Sequence, residues 1–269
     1  MEKPKISKYV FKVTAKENIT PHYIRIRLKS DEDIEFDQCT PGANNKIFIP
    51  PSGTREVQFS TFDPEKGEWV MPDDAIKPIV RTYTHRAIDP ETKEITIDFV
   101  NHGDNGPASA WARNAVLDDQ LGVAMKIRPT VHVGEADHYL LIADSTAIPV
   151  LCCILESLPE DASGRCIVEV ATPEDKHPEV QHPGFEVTWL VNPHPEKGSA
   201  LAETARAWTI DPDKKHFAYI AAEYSTVRDL RHYYKEELGW GPKDFYAFSY
   251  WKSGTAEDKS AQDRREERG

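Results

Sequence analysis

The four residues Arg81-Thr82-Tyr83-Thr84 lie in a short segment of branched and aromatic residues, Ile79–Arg86, that predicts a β-strand. Alternate side chains of a strand point to the same face, so we expect Arg81 and Tyr83 on one face. An arginine there can bind a pyrophosphate through two hydrogen bonds, and a tyrosine two residues later can lie against a flat isoalloxazine ring. The Thr84 hydroxyl and amide could then bond near the flavin N5. An ordinary barrel strand with a surface arginine and a core tyrosine fits the same four residues equally well.

A second motif follows one strand later, at residues 102–112, with the sequence HGDNGPASAWA. Its two glycines permit a tight turn, and Pro107 suits the first position of a helix. The amides of that first helical turn, together with the Ser109 hydroxyl, would form a phosphate cradle. Taken by itself, a glycine turn that starts a structural helix, with Trp111 in the core, is the more common explanation.

The segments around these motifs divide the chain into a β-rich part and an α/β part. Up to about Val133, short strand-like segments are separated by clusters of Pro, Gly and Asp, which is typical of an antiparallel sandwich or barrel. From Ala136 onward, apolar strands alternate with helical segments, which predicts a mainly parallel sheet covered on both faces. We therefore predict a β + α/β fold, with an antiparallel β-barrel domain at 1–135, an α/β parallel-sheet domain at 136–254 and a charged tail at 255–269.

The segments that support this division are short. The predicted strands are 7–13, 23–28, 46–49, 79–86, 94–100, 139–143, 166–171, 185–191, 217–221 and 245–250. The predicted helices of the second part are 147–158, 200–207 and 226–238. Residues 94–99 alternate cleanly between apolar and polar side chains, so one face of that strand should be buried and the other polar.

The composition restricts the classes of partner. The 269 residues carry a formal net charge of −12, which argues against nucleic acid, because binding phosphates needs a surplus of Lys and Arg. The same charge disfavours an anionic membrane surface, and no apolar run approaches the length of a membrane span. The amino terminus lacks the apolar core of a signal peptide. We expect a cytoplasmic protein, and a monomer.

The cysteines and histidines show no spacing typical of a metal site. The four cysteines are Cys39, Cys152, Cys153 and Cys166. No pair has C-x-x-C spacing, so we expect buried or half-buried thiols in a reducing compartment. His177, His182 and His194 each precede a proline in a predicted loop, and we expect them to face solvent. The sequence therefore predicts no bound metal.

Together the two motifs are far more specific than either is alone. With three later segments, they resemble the siderophore-interacting protein family of ferric-siderophore reductases, relatives of the ferredoxin–NADP reductase superfamily. The residues that carry the resemblance are RTYT at 81–84, HGD at 102–104, GPAS at 106–109, WA at 111–112, DSTAIP at 144–149, AEYSTVR at 222–228 and YWKSG at 250–254. They occur in the family's order, and the resemblance spans residues 41–254.

The resemblance implies an FAD-binding β-barrel followed by an NAD(P)-binding-like α/β domain. By this resemblance, the flavin ring and the phosphates are held by Arg81, Tyr83 and Thr84, and the FAD site is also lined by Asp98, Val100 and His102. The pyrophosphate is expected to meet Gly106, Ala108 and Ser109. The adenine end or the cleft between domains is expected near Asp144, Thr146 and Ala147. Trp251, near the end of the last strand, either closes over the flavin or belongs to the core. The family also attracts its ferric siderophore with basic groups, for which the best matches are Lys46, Arg128 and Lys252.

Two family glycines are replaced here, by Ala143 and Ala222. Glycines at such places let a dinucleotide backbone approach closely, so the replacements weaken the expectation of a nicotinamide cofactor without excluding it. The resemblance leaves NADPH, NADH and reduced ferredoxin open as electron donors. The charged tail after Gly254 could also reshape the donor side.

The resemblance thus implies an FAD-dependent enzyme that reduces the Fe(III) of a siderophore to Fe(II). Oxygen donors hold Fe(III) tightly and Fe(II) weakly, so one electron releases the iron. Two alternatives remain open at this stage. The first is a general flavin or ferredoxin reductase on the same fold, and the second is a protein that binds ferric siderophore without redox turnover.

Overall fold

The computed structural model describes residues 6–34, 36, 38–104, 106–257 and 259. Its contacts divide the chain into two compact units, Met1–Thr130 and Val131–Gly269. Most of the predicted tail, residue 258 and residues 260–269, lies outside the described residues. Among the helices that are described, none has the length and apolar character needed to cross a membrane.

The first unit is built on a seven-stranded sheet in which every pairing is antiparallel. Its order is β6-β3-β9-β1-β2-β8-β7, and a separate two-stranded sheet pairs β4 with β5. The strands are β1 Ile6–Thr20, β2 Tyr23–Lys29, β3 Asn44–Ile49, β4 Thr61–Asp63, β5 Glu68–Val70, β6 Ile79–Thr84, β7 Ala87–Asp89, β8 Glu94–Val100 and β9 Gln120–Lys126, with helix α1 at Pro107–Asn114 before β9.

The long strand β1 explains why this sheet curls into a half-barrel. Its register against β2 shifts between Val13 and Ala15 and again between Asn18 and Thr20. Such bulges insert an extra residue, bend the strand and increase its twist. The concave face is filled by alternate residues of each strand, as Ile95, Ile97 and Phe99 of β8 show by being fully buried.

The second unit contains a five-stranded sheet that is parallel throughout. Its order is β12-β11-β10-β13-β14. The strands are β10 His138–Asp144, β11 Gly164–Val170, β12 Phe185–Val191, β13 His216–Glu223 and β14 Phe245–Trp251. The helices are α2 Ile148–Ser157, α3 Leu201–Arg206 and α4 Tyr224–His232, with 3₁₀ turns at Ser145–Ala147, Pro173–Asp175 and Pro195–Lys197 and a π-helical turn at Tyr233–Glu237.

The order of this sheet decides where a ligand can bind. The chain runs outward from β10 through β11 to β12, and then returns to the other side of β10 to form β13 and β14. The direction of winding therefore reverses between β10 and β13. In open parallel sheets, ligands bind outside the carboxyl ends of the strands at such a switch point.

Both parts of the predicted fold class are confirmed, an antiparallel β-domain followed by a parallel α/β domain. Strands β8 and β12 have the predicted bounds, whereas β1 is longer than predicted. Strand β9 and the β4–β5 pair were not singled out from the sequence. Helix α2 is apolar on every side, since its residues Ile148–Leu155 are all buried, and it forms a large part of the core of its unit.

Candidate functional site

Strand β6 carries the arginine–tyrosine motif at an edge of the antiparallel sheet. It pairs with β3 so that Arg81 lies opposite Ile47 and Tyr83 lies opposite Asn45. Arg81 and Tyr83 are half-buried, and Thr84 is buried. The Arg81 guanidinium donates to the Val80 carbonyl at 2.7 Å. The motif is thus fixed on a strand, with its arginine and tyrosine still partly open to a ligand.

Three aromatic rings connect this strand to helix α1. The Tyr83 ring lies 4.7 Å from the Phe99 ring, and Phe99 lies 5.7 Å from Trp111, measured between centroids. Phe99 is fully buried, while Tyr83 and Trp111 are half-buried against the same apolar core. The structure therefore brings the two sequence motifs together through a residue that motif matching missed. The signal for Phe99 was the period-two alternation of residues 94–99.

The amino end of α1 offers backbone donors to an anion. Gly106 precedes Pro107 in an extended conformation, no side chain caps the helix, and its first turn contains no acidic residue. The first bond of the helix runs from the Ala110 amide to the Gly106 carbonyl, at 2.9 Å. The amides of Ala108 and Ser109 come before that bond, where a helix has N–H groups without intrahelical acceptors. Such an end binds phosphate favourably.

Ser109 has a different role from the one expected of its hydroxyl. The residue is fully buried, its hydroxyl donates to the Gly103 carbonyl at 2.7 Å, and it accepts from the His102 amide at 3.1 Å. The hydroxyl therefore closes the turn before the helix. Its backbone amide is the part of Ser109 that stays at the amino end of α1, and contact with a phosphate remains a prediction for that amide.

Gly106 and His102 are close neighbours in this turn. A Cβ atom built on Gly106 would overlap Cε1 and Nε2 of the His102 ring. Only a residue without a side chain lets the imidazole lie against the backbone at this point. The turn thus determines where the His102 ring lies, next to the start of α1.

Asp98 forms an ion pair within the sheet. Its carboxylate accepts from Nε and Nη2 of Arg25 at 2.8 and 2.9 Å, and the Asp98 side chain is fully buried. The two residues lie opposite each other on β8 and β2. The sequence did not reveal Arg25, because strand pairing is a long-range property. Val100 is half-buried two residues later, and the cofactor roles of Asp98 and Val100 remain predictions.

In the second unit, Asp144, Thr146 and Trp251 come together at the carboxyl ends of β10 and β14. The buried Asp144 carboxylate accepts from the Thr146 amide at 2.9 Å and from the Trp251 indole N–H at 2.8 Å. Burial raises the pKa of Asp144, and these hydrogen bonds oppose the rise. Ala147 follows in the core, fully buried at the start of α2.

Two further carboxylates share this edge of the sheet with Asp144. Glu169 ends up beside Ser199, whose hydroxyl donates to it at 2.7 Å, and Glu223 caps the amino end of α4 by accepting from Ser225. A small cavity is lined by Asp144, Glu169, Glu223, Ser199 and Trp251, among others. Burial raises the pKa of Glu169, and the nearby Asp144 adds to that rise. The switch point of the sheet is thus acidic.

The three basic candidates lie in different settings. Lys46 is exposed on β3, and its ammonium donates to the Thr82 hydroxyl on β6 at 2.5 Å. Arg128 is exposed two residues after β9. In the second unit, the Lys252 ammonium lies 4.6 Å from the centre of the Tyr224 ring, which the Arg228 guanidinium also approaches at 5.8 Å. Their binding of a substrate remains a prediction.

The expectation that the three proline-flanked histidines face solvent is wrong for His177. That residue is 2% exposed, because the turn that follows β11 folds its ring inward. His182 is half-buried, with its ring 5.0 Å from that of Phe185, and His194 alone of the three is exposed. The cysteines behave as predicted: Cys39 is half-buried and the other three are buried.

Each of the two units matches a protein family that is described as siderophore-interacting. Residues 12–127 match the siderophore-interacting FAD-binding domain, and residues 136–254 match the siderophore-interacting protein family. The ferric vibriobactin reductase ViuB of Vibrio cholerae is 29% identical over 251 residues, which cover 93% of this chain and 91% of that protein.

Two solved structures are similar to this chain over nearly its whole length. The siderophore-interacting protein SipS of Aeromonas hydrophila has a TM-score of 0.80 at 28% identity, covering 97% of this chain and 98% of its own. A siderophore utilization protein from T. fusca has a TM-score of 0.76 at 30% identity, with coverages of 94% and 96%. More distant ferredoxin reductases share the fold alone. The chain therefore belongs to the siderophore-interacting protein family.

Proposed function

We propose that the protein is an FAD-dependent ferric-siderophore reductase, which reduces chelated Fe(III) to Fe(II) and so releases iron in the cytoplasm. Two comparisons support the proposal. The first unit matches a domain described as FAD-binding, and a relative that aligns over 93% of the chain is named a ferric vibriobactin reductase. The observation that carries it in this chain is the group formed by Arg81, Tyr83 and the amino end of α1, joined through Phe99.

The chemistry of this group fits FAD. A half-buried arginine and the open amides of a helix start suit a pyrophosphate, and a half-buried tyrosine on a rigid aromatic row suits a flat ring system. The first turn of α1 contains no carboxylate that would repel the phosphates. We infer that Arg81, Ala108 and Ser109 would hold the phosphates, while Tyr83 and Thr84 would lie along the ring.

The reaction depends on the position of the FAD and on its reduction potential more than on acid–base catalysis. When bound, FAD can accept a hydride or single electrons and return one electron at a time. The protein side chains would orient the cofactor, and the packed Tyr83–Phe99–Trp111 row would keep water from one side of it. Iron enters and leaves as substrate, and oxygen ligands lose most of their hold on it once it is Fe(II).

An anionic ferric siderophore must approach a protein whose net charge is −12. Fixed cations at the site would provide the local attraction that the whole molecule lacks. We assign this role to Lys46, Arg128 and Lys252, of which Lys46 is tied to the motif strand through Thr82.

NAD(P)H and reduced ferredoxin are both proposed as donors. A dinucleotide would place its phosphates at the carboxyl ends of the parallel strands, where Asp144, Glu169 and Glu223 lie. Each carboxylate that stays ionised there raises the free energy of binding a pyrophosphate. A ferredoxin would avoid this cost, because it passes electrons from its own surface without inserting phosphates.

Purification and anaerobic kinetics test the proposal. We expect a yellow protein with bound FAD that reduces ferric siderophores faster than free flavin or dye acceptors, with NADH, NADPH and reduced ferredoxin assayed in parallel. Faster turnover of free flavin or dyes would instead indicate a general reductase. A colourless protein that binds ferric siderophore without reducing it would overturn the proposal.

Replacing the motif arginine tests the cofactor site directly. We expect Arg81→Ala to weaken FAD binding by about 10- to 100-fold, because a charge-assisted hydrogen bond contributes about 1.5–3 kcal/mol. The flavin-to-protein ratio, measured from the absorbance of released FAD, reports the change. Arg27→Ala, on an exposed arginine of β2, is the matched control. Equal flavin content in both variants would show that Arg81 does not hold the pyrophosphate.

A further inference from the structure

Cys152, His177 and Glu179 form a cluster that the proposed function does not use. Their potential ligand atoms all lie within 4.8 Å of one another. Cys152 is fully buried, His177 is 2% exposed, and Glu179 is half-buried. We propose that these three side chains bind a divalent transition-metal ion of borderline softness, such as Zn(II) or Fe(II). The inference does not rest on the proposed reductase activity.

The backbone around two of the ligands is already ordered. Residues 177–180 form a turn closed by a hydrogen bond from the Val180 amide to the His177 carbonyl at 3.1 Å. Pro178 occupies the second position of that turn, where its fixed φ angle is favourable. A capping box between Thr172 and Asp175 holds the preceding 3₁₀ turn. His177 and Glu179 are therefore presented on one short, rigid segment.

The third ligand comes from the middle of α2, which packs in the core. A tetrahedral site with usual Zn–S and Zn–N lengths separates its ligand atoms by about 3.5 Å. The ligand atoms lie within 4.8 Å of one another, so side-chain rotations that move each of them by about 1 Å would bring them to that spacing. A thiolate, an imidazole and a carboxylate are ligands that Zn(II) and Fe(II) accept and that Mg(II), which prefers oxygen, does not.

Binding of a divalent ion at this buried cluster would release one proton, and the ligands would offset the charge of the ion. The neutral Cys152 thiol would lose its proton to solvent, and the resulting thiolate and the Glu179 carboxylate would offset the two charges of the ion. The Glu179 amide lies 3.3 Å from Nδ1 of His177, a long hydrogen bond. Ligation through Nε2 would move the ring proton to Nδ1 and give up that contact. Three protein ligands leave a fourth position for water, and Glu179 is the ligand that is partly exposed to solvent.

Metal titration of the full-length protein tests the site. After dialysis against a chelator, we expect wild-type protein to bind about one Zn(II) or one anaerobic Fe(II) per chain, to release a proton and to gain thermal stability. Co(II) should give the absorption bands of a thiolate complex, and Mg(II) should not compete. Absence of stoichiometric Zn(II) and Fe(II) binding would overturn the proposal.

Neighbouring residues supply matched controls. Cys152→Ser should lose tenfold or more of the metal affinity and the thiolate bands, whereas Cys153→Ser, at the next buried cysteine of the same helix, should keep both. Glu179 is half-buried on a turn, so Glu179→Gln is expected to fold, and it should also weaken binding. Equal metal affinity in the three variants and wild type would overturn the proposal. If Cys152→Ser fails to fold, Glu179→Gln decides alone.

Discussion

Gly106 shows how much one residue can determine at the candidate cofactor site. The residue has an ordinary extended backbone, so its lack of a side chain matters because of what lies beside it. A methyl group there would displace the His102 ring. We expect Gly106→Ala to weaken FAD binding by about tenfold, since the ring and the start of α1 must both shift. Titration of the FAD-free protein with FAD, followed by flavin fluorescence, measures the change.

A double-mutant cycle separates the ring from the helix. If the displaced imidazole causes the loss, Gly106→Ala should have little further effect in a His102→Ala background. Independent losses in the two single variants would mean that the methyl group acts on the helix start instead.

His85, which directly follows strand β6, should make the stability of the protein depend on pH. It is buried, its Nδ1 lies 3.1 Å from the Asn45 amide nitrogen, and burial lowers the pKa of His85 to about 4. Below pH 6.5 the His85 side chain is protonated in the unfolded chain, whereas in the folded protein it is protonated only below about pH 4. The free energy of unfolding should therefore fall as the pH is lowered from 6.5 to 4, by about 3 kcal/mol from this group, and level off below.

Comparison with His85→Gln isolates this contribution, because the titrating carboxylates are common to both proteins. We expect the variant to lose less stability than wild type between pH 6.5 and 4 in urea unfolding experiments. His194→Gln, at an exposed histidine, should follow the wild-type curve. Parallel curves for all three proteins would show that His85 protonates in the folded state as readily as in the unfolded chain.

Among the elements, the end of strand β14 is tied to the end of strand β10 by one hydrogen bond. Trp251 donates its indole N–H to the buried Asp144 carboxylate, and this bond opposes the rise in the pKa of Asp144 caused by burial. Trp251→Phe should therefore raise that pKa further and, at a pH where Asp144 is ionised, lower the free energy of unfolding by about 1–3 kcal/mol. The loss should shrink at low pH, where Asp144 is protonated in both proteins.

Trp208→Phe is the control for lost aromatic surface, since Trp208 packs against the apolar core of the same unit. A pH-independent loss like that of the control would show that the indole bond to Asp144 is not what stabilises the strand ends. Flavin content measured in the same samples tests the second role predicted for Trp251, at the flavin ring.

Local patterns were enough to predict most elements, and long-range pairing explains what was missed. The alternation of residues 94–99 reflects one buried face, and the apolar run in α2 reflects burial on every side, so local patterns identified both. The Arg25–Asp98 pair depends on the register of β2 against β8, which no local pattern encodes. The buried His177 was missed because a proline turn is usually a surface feature, and the fold of the loop turned it inward.

For the whole molecule, charge is the property that most affects the proposed substrate. A net charge of −12 repels an anionic chelate at distances up to about 10 Å at 0.1 M salt, whereas cations near the bound chelate attract it. The outcome of adding salt therefore depends on which of the two fields dominates at the site. If Lys46, Arg128 and Lys252 attract the siderophore, added salt should weaken its binding.

Neutralising these three cations together should remove most of that dependence. We expect Lys46→Gln, Arg128→Gln and Lys252→Gln, combined in one protein, to lower the affinity for a ferric siderophore at low salt and to flatten the salt titration. A matched protein in which three exposed lysines, Lys66, Lys77 and Lys197, are changed to Gln has the same net charge. It should keep the wild-type slope. If the two triple variants show equal slopes, the whole-molecule field alone controls binding, and the three assigned cations lie outside the siderophore site.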